Sequence, residues 1–597
     1  MKKILMTLAA VLCCTMTVPM LTSCTNDNDD SPITQPTDGS ALVGSWTVNI
    51  TGSSFPLWNY GPVLHMMKFG ADGTGFFDTF YTLEEQPIAR DYQTFTYTTT
   101  SDGHLTMEME DGTFYYTFKI ADGQLTLTYD DHAMTYDKAD AGMVEKFEEW
   151  DQQELIKVPN AARYTVFVYG NASGDMDYVI EDDFWDELKP YLTDSTNVRV
   201  VCFYKYGMDL PEENKPFTGK YADPGDIVWF ELSSKTDLDK LRKEGLSNYG
   251  FEEQAKKLKL CDPSSIRMFM ELSSLVCPAE EYIFTIWGHG DGFEPMFDIP
   301  GKYDQAATRG LISDKWNEGE KLDMYELVKA IRSTGAKTNT IFFHNCMMGN
   351  IESLTELRDV TEYIACSAHM LNSDYTVLPA FIRGLIEKDD VEEAFASMLN
   401  EVTPAWQNAY RDRKEGAENG DFKLLRAAEL DGILDVSKRL ADRLVALYPT
   451  QQEAIDLATK SVYRFVTLVD DPAYYFIYPF FDLQDYADKL AAYTGDAELQ
   501  TIASDFRTAF DNAILQHVDI NWTVQRLDHY SLSVCLYHQG YYEYDFVGMG
   551  SSWNSNIGEG YEQCAFHHLT GWGNWLRVNT EIPWGNPTCG GGGLAEP

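Results

Sequence analysis

Two short segments of this 597-residue chain contain residue types that could act together as a nucleophile and its base. His289 lies between glycines in the segment 287–292 (WGHGDG), and Cys346 follows the apolar residues Phe342 and Phe343. An imidazole can accept a proton from a thiol near neutral pH, and the resulting thiolate is the reactive form of cysteine. Taken alone, His289 would more often be a turn residue and Cys346 a buried structural cysteine. The pair becomes meaningful only if the fold brings the two segments together.

The pattern of strands and helices after residue 162 predicts such a meeting. Apolar strands alternate with helical patterns, which is typical of an α/β fold with a mostly parallel sheet flanked by helices. Ligand sites in such sheets lie at the carboxyl ends of strands, so we expect the loops after Trp287 and Phe343 to be neighbours. The predicted strands are 164–169, 198–204, 227–232, 282–287, 340–343, 363–366 and 531–537, and the predicted helices are 182–192, 263–275, 324–331 and 347–357.

Cys346 is also predicted to open the helix 347–357, whose N-terminal dipole and N–H groups would stabilise a thiolate. The separation of 57 residues between His289 and Cys346 is similar to the roughly 50 residues between histidine and cysteine in caspases. A metal site formed by His289, His344 and Cys346 is an alternative, although no fourth ligand is apparent.

The region before residue 162 has a different character. Residues 41–139 predict a small all-β barrel-like domain, because Asp-Gly pairs at 72–73, 102–103, 111–112 and 122–123 favour tight hairpins. The segment 44–46 (GSW) resembles the first strand of lipocalin-like domains. The barrel could hold a ligand or serve as a packed spacer. Residues 140–161 are predicted to be a charged, partly helical linker. Residues 162–578 would then form one domain, mainly helical between 390 and 520, followed by a flexible tail at 579–597.

The N-terminus resembles the leader of a bacterial lipoprotein. Residues 1–23 have a basic start and a short apolar run, and the segment 21–24 (LTSC) matches a lipobox that would place a lipid on Cys24. An ordinary signal peptide with an incidental cysteine is the alternative. Residues 24–40 are predicted to be a disordered tether, whose early aspartates resemble a surface-export signal. We therefore expect an outer-membrane lipoprotein that is surface-exposed or periplasmic.

The charge balance argues against a nucleic-acid partner, and the cysteine spacing argues against a zinc knuckle or a redox motif. The chain has 93 Asp and Glu against 46 Lys and Arg, so a nucleic-acid partner is not expected. Eight cysteines follow Cys24, and none of their pairs has the C-x-x-C spacing of a zinc knuckle or a redox motif.

Several segments between residues 162 and 578 together resemble the clostripain-like cysteine peptidases, which have a caspase and gingipain type of fold. The matching segments are the strand 164–170, GHGDG at 288–292, NCMMGNIE at 345–352, FDL at 481–483, SLSV at 531–534 and GWGNWL at 571–576. The resemblance implies that His289 and Cys346 form a catalytic dyad and that peptide bonds are cleaved through a thioester acyl-enzyme. Backbone N–H groups of Gly290 and Cys346 would hold the oxyanion. Peptides or proteins would be the substrates, and no cofactor is certain, although some relatives need calcium.

One position departs from the family pattern. The family usually has an acidic residue two positions before the cysteine, where it helps to bind a basic side chain at P1, the residue before the cleaved bond. This chain has His344 there, and Ser367 begins a segment that differs from the acidic stretch common in relatives. His344 and Ser367 are therefore the candidate substrate-binding residues. The same departure is compatible with an inactive peptidase fold that binds peptide or glycan.

Many relatives cut themselves between histidine and cysteine, and the loop 300–314 contains Lys302 and Arg309.

We predict that the protein does not prefer Arg or Lys at P1. A basic side chain in a desolvated pocket without a carboxylate would lose several kcal/mol of compensating interaction. Cleavage of a peptide library by the protein lacking residues 1–24 measures this preference directly. A clear preference for Arg or Lys would contradict the prediction.

Overall fold

The computed structural model of the chain describes nearly two thirds of the sequence. The described residues are 39–50, 63–83, 86–109, 112–129, 132–152, 162–171, 176–207, 219–241, 256, 258–290, 292, 312–314, 320–322, 324–334, 336–369, 371, 377–412, 420–463, 465, 480–520, 531–536 and 564–578. The leader with Cys24, the loop with Lys302 and Arg309, and the tail 579–597 lie outside them, so the predictions made for those segments stay predictions.

The first domain is a closed antiparallel barrel of eight strands, which confirms the predicted all-β domain. Each strand pairs with the next in sequence, and β8 returns to β1. Three of the predicted hairpins have their glycine at positive φ, namely Gly73 (80°), Gly103 (85°) and Gly123 (82°). The strands are β1 Gly44–Ile50, β2 Val63–Phe69, β3 Thr74–Leu83, β4 Gln86–Thr99, β5 His104–Met109, β6 Gly112–Ala121, β7 Gln124–Tyr129 and β8 His132–Lys138.

Large side chains fill the described part of the barrel interior. Trp46, Phe69, Phe95 and Met107 belong to one buried apolar cluster that draws on nearly every strand. His65 is also buried, with Nδ1 2.7 Å from the Thr79 hydroxyl oxygen, and burial lowers the pKa of His65 to about 4. This packing favours a spacer over a lipocalin-like ligand cavity.

Helix α1 (Ala141–Gln152) packs on the outside of the barrel. Its Phe147 and Trp150 lie three residues apart on one helix face and are buried against Phe80. Arg90 on β4 binds Asp78 through two hydrogen bonds of 2.7 and 2.9 Å. The helical part of the predicted linker is thus packed onto the β domain, and the rest of the linker lies outside the described residues.

The second domain contains an eight-stranded sheet in the order β11-β10-β9-β12-β15-β16-β17-β19. Strands β10, β9, β12, β15 and β16 are parallel to their neighbours in that central run. Two short antiparallel pairs of strands, β13–β14 and β18–β20, lie outside this sheet. The strands are β9 Ala162–Asn171, β10 Val198–Lys205, β11 Ile227–Leu232, β12 Ala279–Gly288, β13 Ile312–Asp314, β14 Glu320–Leu322, β15 Thr338–His344, β16 Tyr363–Cys366, β17 Gly420–Arg426, β18 Phe480–Asp482, β19 Ile514–Ile520 and β20 Ser533–Cys535.

The sheet is mixed: its five central strands are parallel, as predicted, and antiparallel pairings flank them. Strand β11 runs antiparallel to β10, and on the other side β17 runs antiparallel to both β16 and β19. Both β17 and β19 lie in the region predicted to be mainly helical. In β17, Asp421 and Lys423 alternate with Phe422 and Leu424 and all four are buried, but seven residues of such a pattern are a weak signal beside the long helices around them.

Helices cover both faces of the sheet. On β15, Phe343 packs into the core of one face and Phe342 into the core of the other. No helix among the described residues is long and apolar enough to span a membrane. The helices are α2 Pro263–Val276, α3 Met324–Thr334, α4 Ile351–Leu357, α5 Val377–Lys388, α6 Val391–Asp412, α7 Leu430–Lys460, α8 Leu483–Thr494, α9 Ala497–Ala513, α10 Ala565–Thr570 and α11 Trp572–Val578, with short π and 3-10 segments at Val179–Asp186 and Lys189–Tyr191.

We predict that Phe147→Ala destabilises the barrel by about 3 kcal/mol, because it removes a buried ring that contacts Phe80. Chemical unfolding of the full chain, followed by tryptophan fluorescence, measures the effect. Tyr115→Ala is the matched control, since Tyr115 is 70% exposed on β6. Equal effects of both substitutions would show that α1 does not stabilise the barrel.

Candidate active site

The candidate histidine and cysteine follow two hydrogen-bonded neighbouring strands. Strands β12 and β15 are parallel, and Trp287 is paired with His344. His289 and Cys346 each lie two residues beyond this pair, so both leave the sheet at the same edge. The predicted neighbourhood of the two loops is therefore present in the fold.

The side chain of Asn345 joins the two loops directly. Its Nδ2 donates hydrogen bonds to the carbonyl oxygens of Gly288 (3.0 Å) and His289 (3.1 Å). The loop that carries the candidate base is thereby bonded to the residue that precedes the candidate nucleophile.

Two glycines allow this close approach. A Cβ on Gly290 would lie 2.5 Å from the carbonyl oxygen of Cys346 and 3.0 Å from its nitrogen, so a side chain there would push the loops apart. Gly288 has a φ of 145°, and a Cβ there would lie 2.2 Å from the carbonyl oxygen of Asn171 on β9. Glycine is therefore required on both sides of His289.

Cys346 lies on a turn, which corrects the prediction that it opens a helix. Met347 adopts a left-handed conformation with a φ of 60°, and helix α4 begins only at Ile351. Asn350 is the N-cap, since its side chain accepts a hydrogen bond of 3.0 Å from the Ser353 N–H. Cys346 thus lies outside the first turn of α4, to which the influence of the helix dipole is confined.

The backbone of Leu371 contacts the sulfur of Cys346 instead. The Leu371 N–H donates to Sγ at 3.3 Å, and Sγ lies 3.6 Å from the Leu371 carbonyl oxygen. The Cys346 side chain is partly buried, whereas His289 is exposed. The candidate nucleophile is therefore held by a third segment, while the candidate base faces outward.

Residues 367–369, which follow β16, hold the turn that carries Cys346. The Met347 N–H donates to the His369 carbonyl at 2.8 Å, and the Gly349 N–H donates to the Ser367 carbonyl at 2.7 Å. Gly349 also packs tightly on Ala368, where a Cβ would lie 2.8 Å from the backbone nitrogen. The conformation of the turn therefore depends on the position of this segment.

The two candidate substrate-binding side chains are buried in this structure. His344 is 2% exposed and stacks on Trp287, with ring centroids 3.8 Å apart and planes within 3°. Burial lowers the pKa of His344 to about 3, so the imidazole is neutral at physiological pH. Ser367 is fully buried, and its hydroxyl donates to Asp421. Substrate contact by either residue stays a prediction.

Sequence reasoning missed three residues around the nucleophile. Asn345 was seen only as part of a motif, Leu371 acts through its backbone, and Asp421 lies 75 residues beyond Cys346. The spacing of Asp421 and Lys423, which puts both on one face of a strand, was the one available signal for a buried pair.

The described residues contain no group of three or more histidine, cysteine or acidic side chains placed to hold a metal ion. His344, one of the ligands in the metal alternative, is committed to its stack on Trp287. Calcium dependence stays a prediction.

The comparison with known families decides the affiliation. The model of the Clostripain family, Peptidase C11, matches residues 168–552 and so spans nearly all of the sheet, both loops and most of the helices. The chain belongs to the clostripain family of peptidases. Membership implies peptide or protein substrates and chemistry of the cysteine-peptidase class. No curated protein matches the sequence significantly.

Solved structures of other clostripain-family proteins resemble the chain at low identity. A secreted C11 cysteine protease from Bacteroides thetaiotaomicron, "iotapain", is 17% identical with a TM-score of 0.45, over 69% of this chain and 100% of its own. An inactive zymogen C11 protease from Parabacteroides distasonis is 12% identical with a TM-score of 0.41, over 69% of this chain and 99% of its own.

We predict that His344→Phe makes the protein less sensitive to acid. The pKa of His344 is about 3 in the folded protein and about 6.5 in the unfolded chain, so the unfolded chain binds the proton first as the pH falls. The free energy of unfolding therefore has its full value above pH 6.5 and falls as the pH is lowered from 6.5 toward 3. At pH 4 the loss is about 3 kcal/mol, and phenylalanine would avoid it while keeping the stack on Trp287.

Urea unfolding at pH 7 and pH 4 measures the difference. No partner is found for either ring nitrogen of His344 among the described residues, so little loss of stability is expected at pH 7. If the wild type and His344→Phe lost the same free energy of unfolding between pH 7 and pH 4, the prediction would be wrong.

Proposed function

We propose that the protein is a cysteine endopeptidase of caspase-like fold, with Cys346 as nucleophile and His289 as general base. The observation that carries the proposal is the contact between the two loops, in which Asn345 binds the backbone of Gly288 and His289. Membership of the clostripain family supports the same chemistry.

The reaction follows from this arrangement. His289 accepts the proton of Cys346, and the thiolate attacks the scissile carbonyl to form a tetrahedral intermediate. Backbone N–H groups of Gly290 and Cys346, which belong to tightly packed neighbouring backbones, stabilise the oxyanion. His289 then protonates the leaving amine, and water hydrolyses the thioester to release the acid and restore the thiol.

The environment of His344 supports a preference for uncharged or acidic P1 residues. The position that would carry a carboxylate is occupied by an imidazole kept neutral by burial. The nearby carboxylate of Asp421 already forms an ion pair with Lys423 and accepts hydrogen bonds from residues 367–369, so it is not available to a basic substrate.

Anchoring through a lipid on Cys24, at the outer membrane and exposed to the surface or the periplasm, is part of the proposal and is supported by the lipobox sequence. The anchor would keep the peptidase at the membrane, where its peptide or protein substrates would be exogenous or envelope proteins. Loss of membrane association in Cys24→Ala is the expected result of a fractionation experiment.

One observation favours the alternative of a binding protein. A surface groove of about 670 Å³ on the barrel is lined by Phe76, Tyr92, Lys68, Asp72 and Glu108, among others. Aromatic and polar side chains together suit a glycan or a peptide. This function would not need a reactive Cys346, so the thiol experiment below separates the two.

We predict that Cys346 is the fastest-reacting thiol of the protein. In Cys346→Ala, rapid alkylation by iodoacetamide should disappear, and peptide cleavage should fall by at least about a thousandfold. Cys202→Ala is the matched control, because Cys202 is buried on β10 and burial raises the pKa of its thiol. Cleavage that survives in Cys346→Ala would refute the proposed nucleophile.

A further inference from the structure

The fully buried carboxylate of Asp421 on β17 holds the segment that follows β16. Its Oδ1 accepts hydrogen bonds from the Ser367 hydroxyl (2.8 Å), the Ala368 N–H (3.0 Å) and the His369 N–H (2.8 Å). Three donors from three consecutive residues fix both the position and the direction of this segment.

Lys423 balances the charge of this carboxylate. It lies two residues along β17, is 1% exposed, and forms an ion pair with Asp421 Oδ2. Burial lowers the pKa of Lys423. The pair is neutral overall whichever partner holds the proton, so its influence on Cys346 is geometric rather than that of a net charge. A buried ion pair often contributes no more to stability than apolar side chains of similar volume would. A role other than stabilising the fold could therefore account for this one.

The segment held by Asp421 leads to the nucleophile by two routes. The carbonyls of Ser367 and His369 accept hydrogen bonds from Gly349 and Met347, on the turn that carries Cys346. Two residues after His369, the N–H of Leu371 donates to the Cys346 sulfur at 3.3 Å. Displacement of the segment would therefore move the sulfur and its hydrogen-bond donor.

We propose that Asp421 is a positioning residue for the nucleophile: it fixes residues 367–369, and thereby the Leu371 N–H that stabilises the thiolate of Cys346. An N–H bond to a charged acceptor is roughly twice as strong as a neutral one, whereas the S–H bond to the Leu371 carbonyl is a weak one. When the thiol of Cys346 ionises, the hydrogen bond from the Leu371 N–H becomes stronger, and the weak hydrogen bond to the Leu371 carbonyl is lost. The gain exceeds the loss, so the Leu371 N–H favours the thiolate. The inference rests on the proposed role of Cys346 as nucleophile.

The titratable groups that face the buried pair come from several elements. They are Cys366 on β16, His369 after it, Asp482 on β18, and His517 and Asp519 on β19. Burial, with the charge of Lys423, lowers the pKa of His369 to about 3 and that of His517 to about 4. Both histidines therefore stay neutral between pH 5 and pH 9, where a thiol is titrated.

Two double variants separate position from charge. Asp421→Leu with Lys423→Met removes the acceptor and leaves a neutral, apolar pair of similar volume. Asp421→Asn with Lys423→Met is the matched control, because the amide oxygen can still accept the hydrogen bonds from residues 367–369.

The pH profile of Cys346 alkylation by iodoacetamide is the readout. We expect the leucine variant to raise the midpoint of the profile by about one unit and to slow labelling at pH 6 about tenfold, as loss of a donor to a thiolate predicts. The asparagine variant should stay near the wild-type midpoint. Peptide cleavage by the leucine variant should lose kcat with little change in KM.

A folded leucine variant with the wild-type alkylation profile would overturn the inference. If that variant does not fold, Leu371→Pro, which lacks the N–H, is compared with Leu371→Ala, which keeps it; equal midpoints in that pair would overturn the inference too. Because alkylation needs no substrate, a shifted midpoint in a protein that cleaves no peptide would support the inference and refute the proposed function. Normal cleavage with an unshifted midpoint would refute the inference alone.

Discussion

The arrangement of the site depends on the parallel pairing of β12 with β15. It also depends on the side-chain amide of Asn345, which joins the two loops just beyond the ends of these strands. The register places Trp287 opposite His344, and the side chain of Asn345 then binds the carbonyls of Gly288 and His289. An interaction of side chain with backbone constrains the loop without depending on the rotamer of His289. The imidazole can therefore face solvent and substrate while its backbone stays fixed next to Cys346.

Several features around this contact carry an energetic cost, and they concentrate near the nucleophile. Met347 has a positive φ although it has a side chain, His344 is buried as a neutral imidazole, and Asp421 and Lys423 are charged groups inside the sheet domain. Strain and buried polar groups persist where the surrounding structure over-determines them, and they often mark functional sites. Here the surroundings are three adjacent strand ends that hold one turn.

The sequence was sufficient for the parts of the fold that leave a regular pattern. The strand 363–366 and the start of the helix at Pro263 agree with the structure, because apolar runs and an Asp262 cap are local signals. Strand β17 was missed, since Asp421 and Lys423, which are buried and paired with each other, look like surface charges in a sequence. The helix after Cys346 was placed too early, because the left-handed Met347 is stabilised by contacts from residues 367–369 that are distant in sequence. His289 and Cys346 were accessible to sequence reasoning, whereas the partner of the sulfur is a backbone group and leaves no trace in residue type.

The central claim is that the two joined loops make Cys346 a nucleophile activated by His289. Rapid acid quenching after mixing the full chain with an activated peptide ester, followed by peptide mapping, measures it most directly. The account predicts a thioester on Cys346 that forms quickly in the wild type and much more slowly in His289→Ala. An acyl group on a different residue, or equal rates in both proteins, would contradict it.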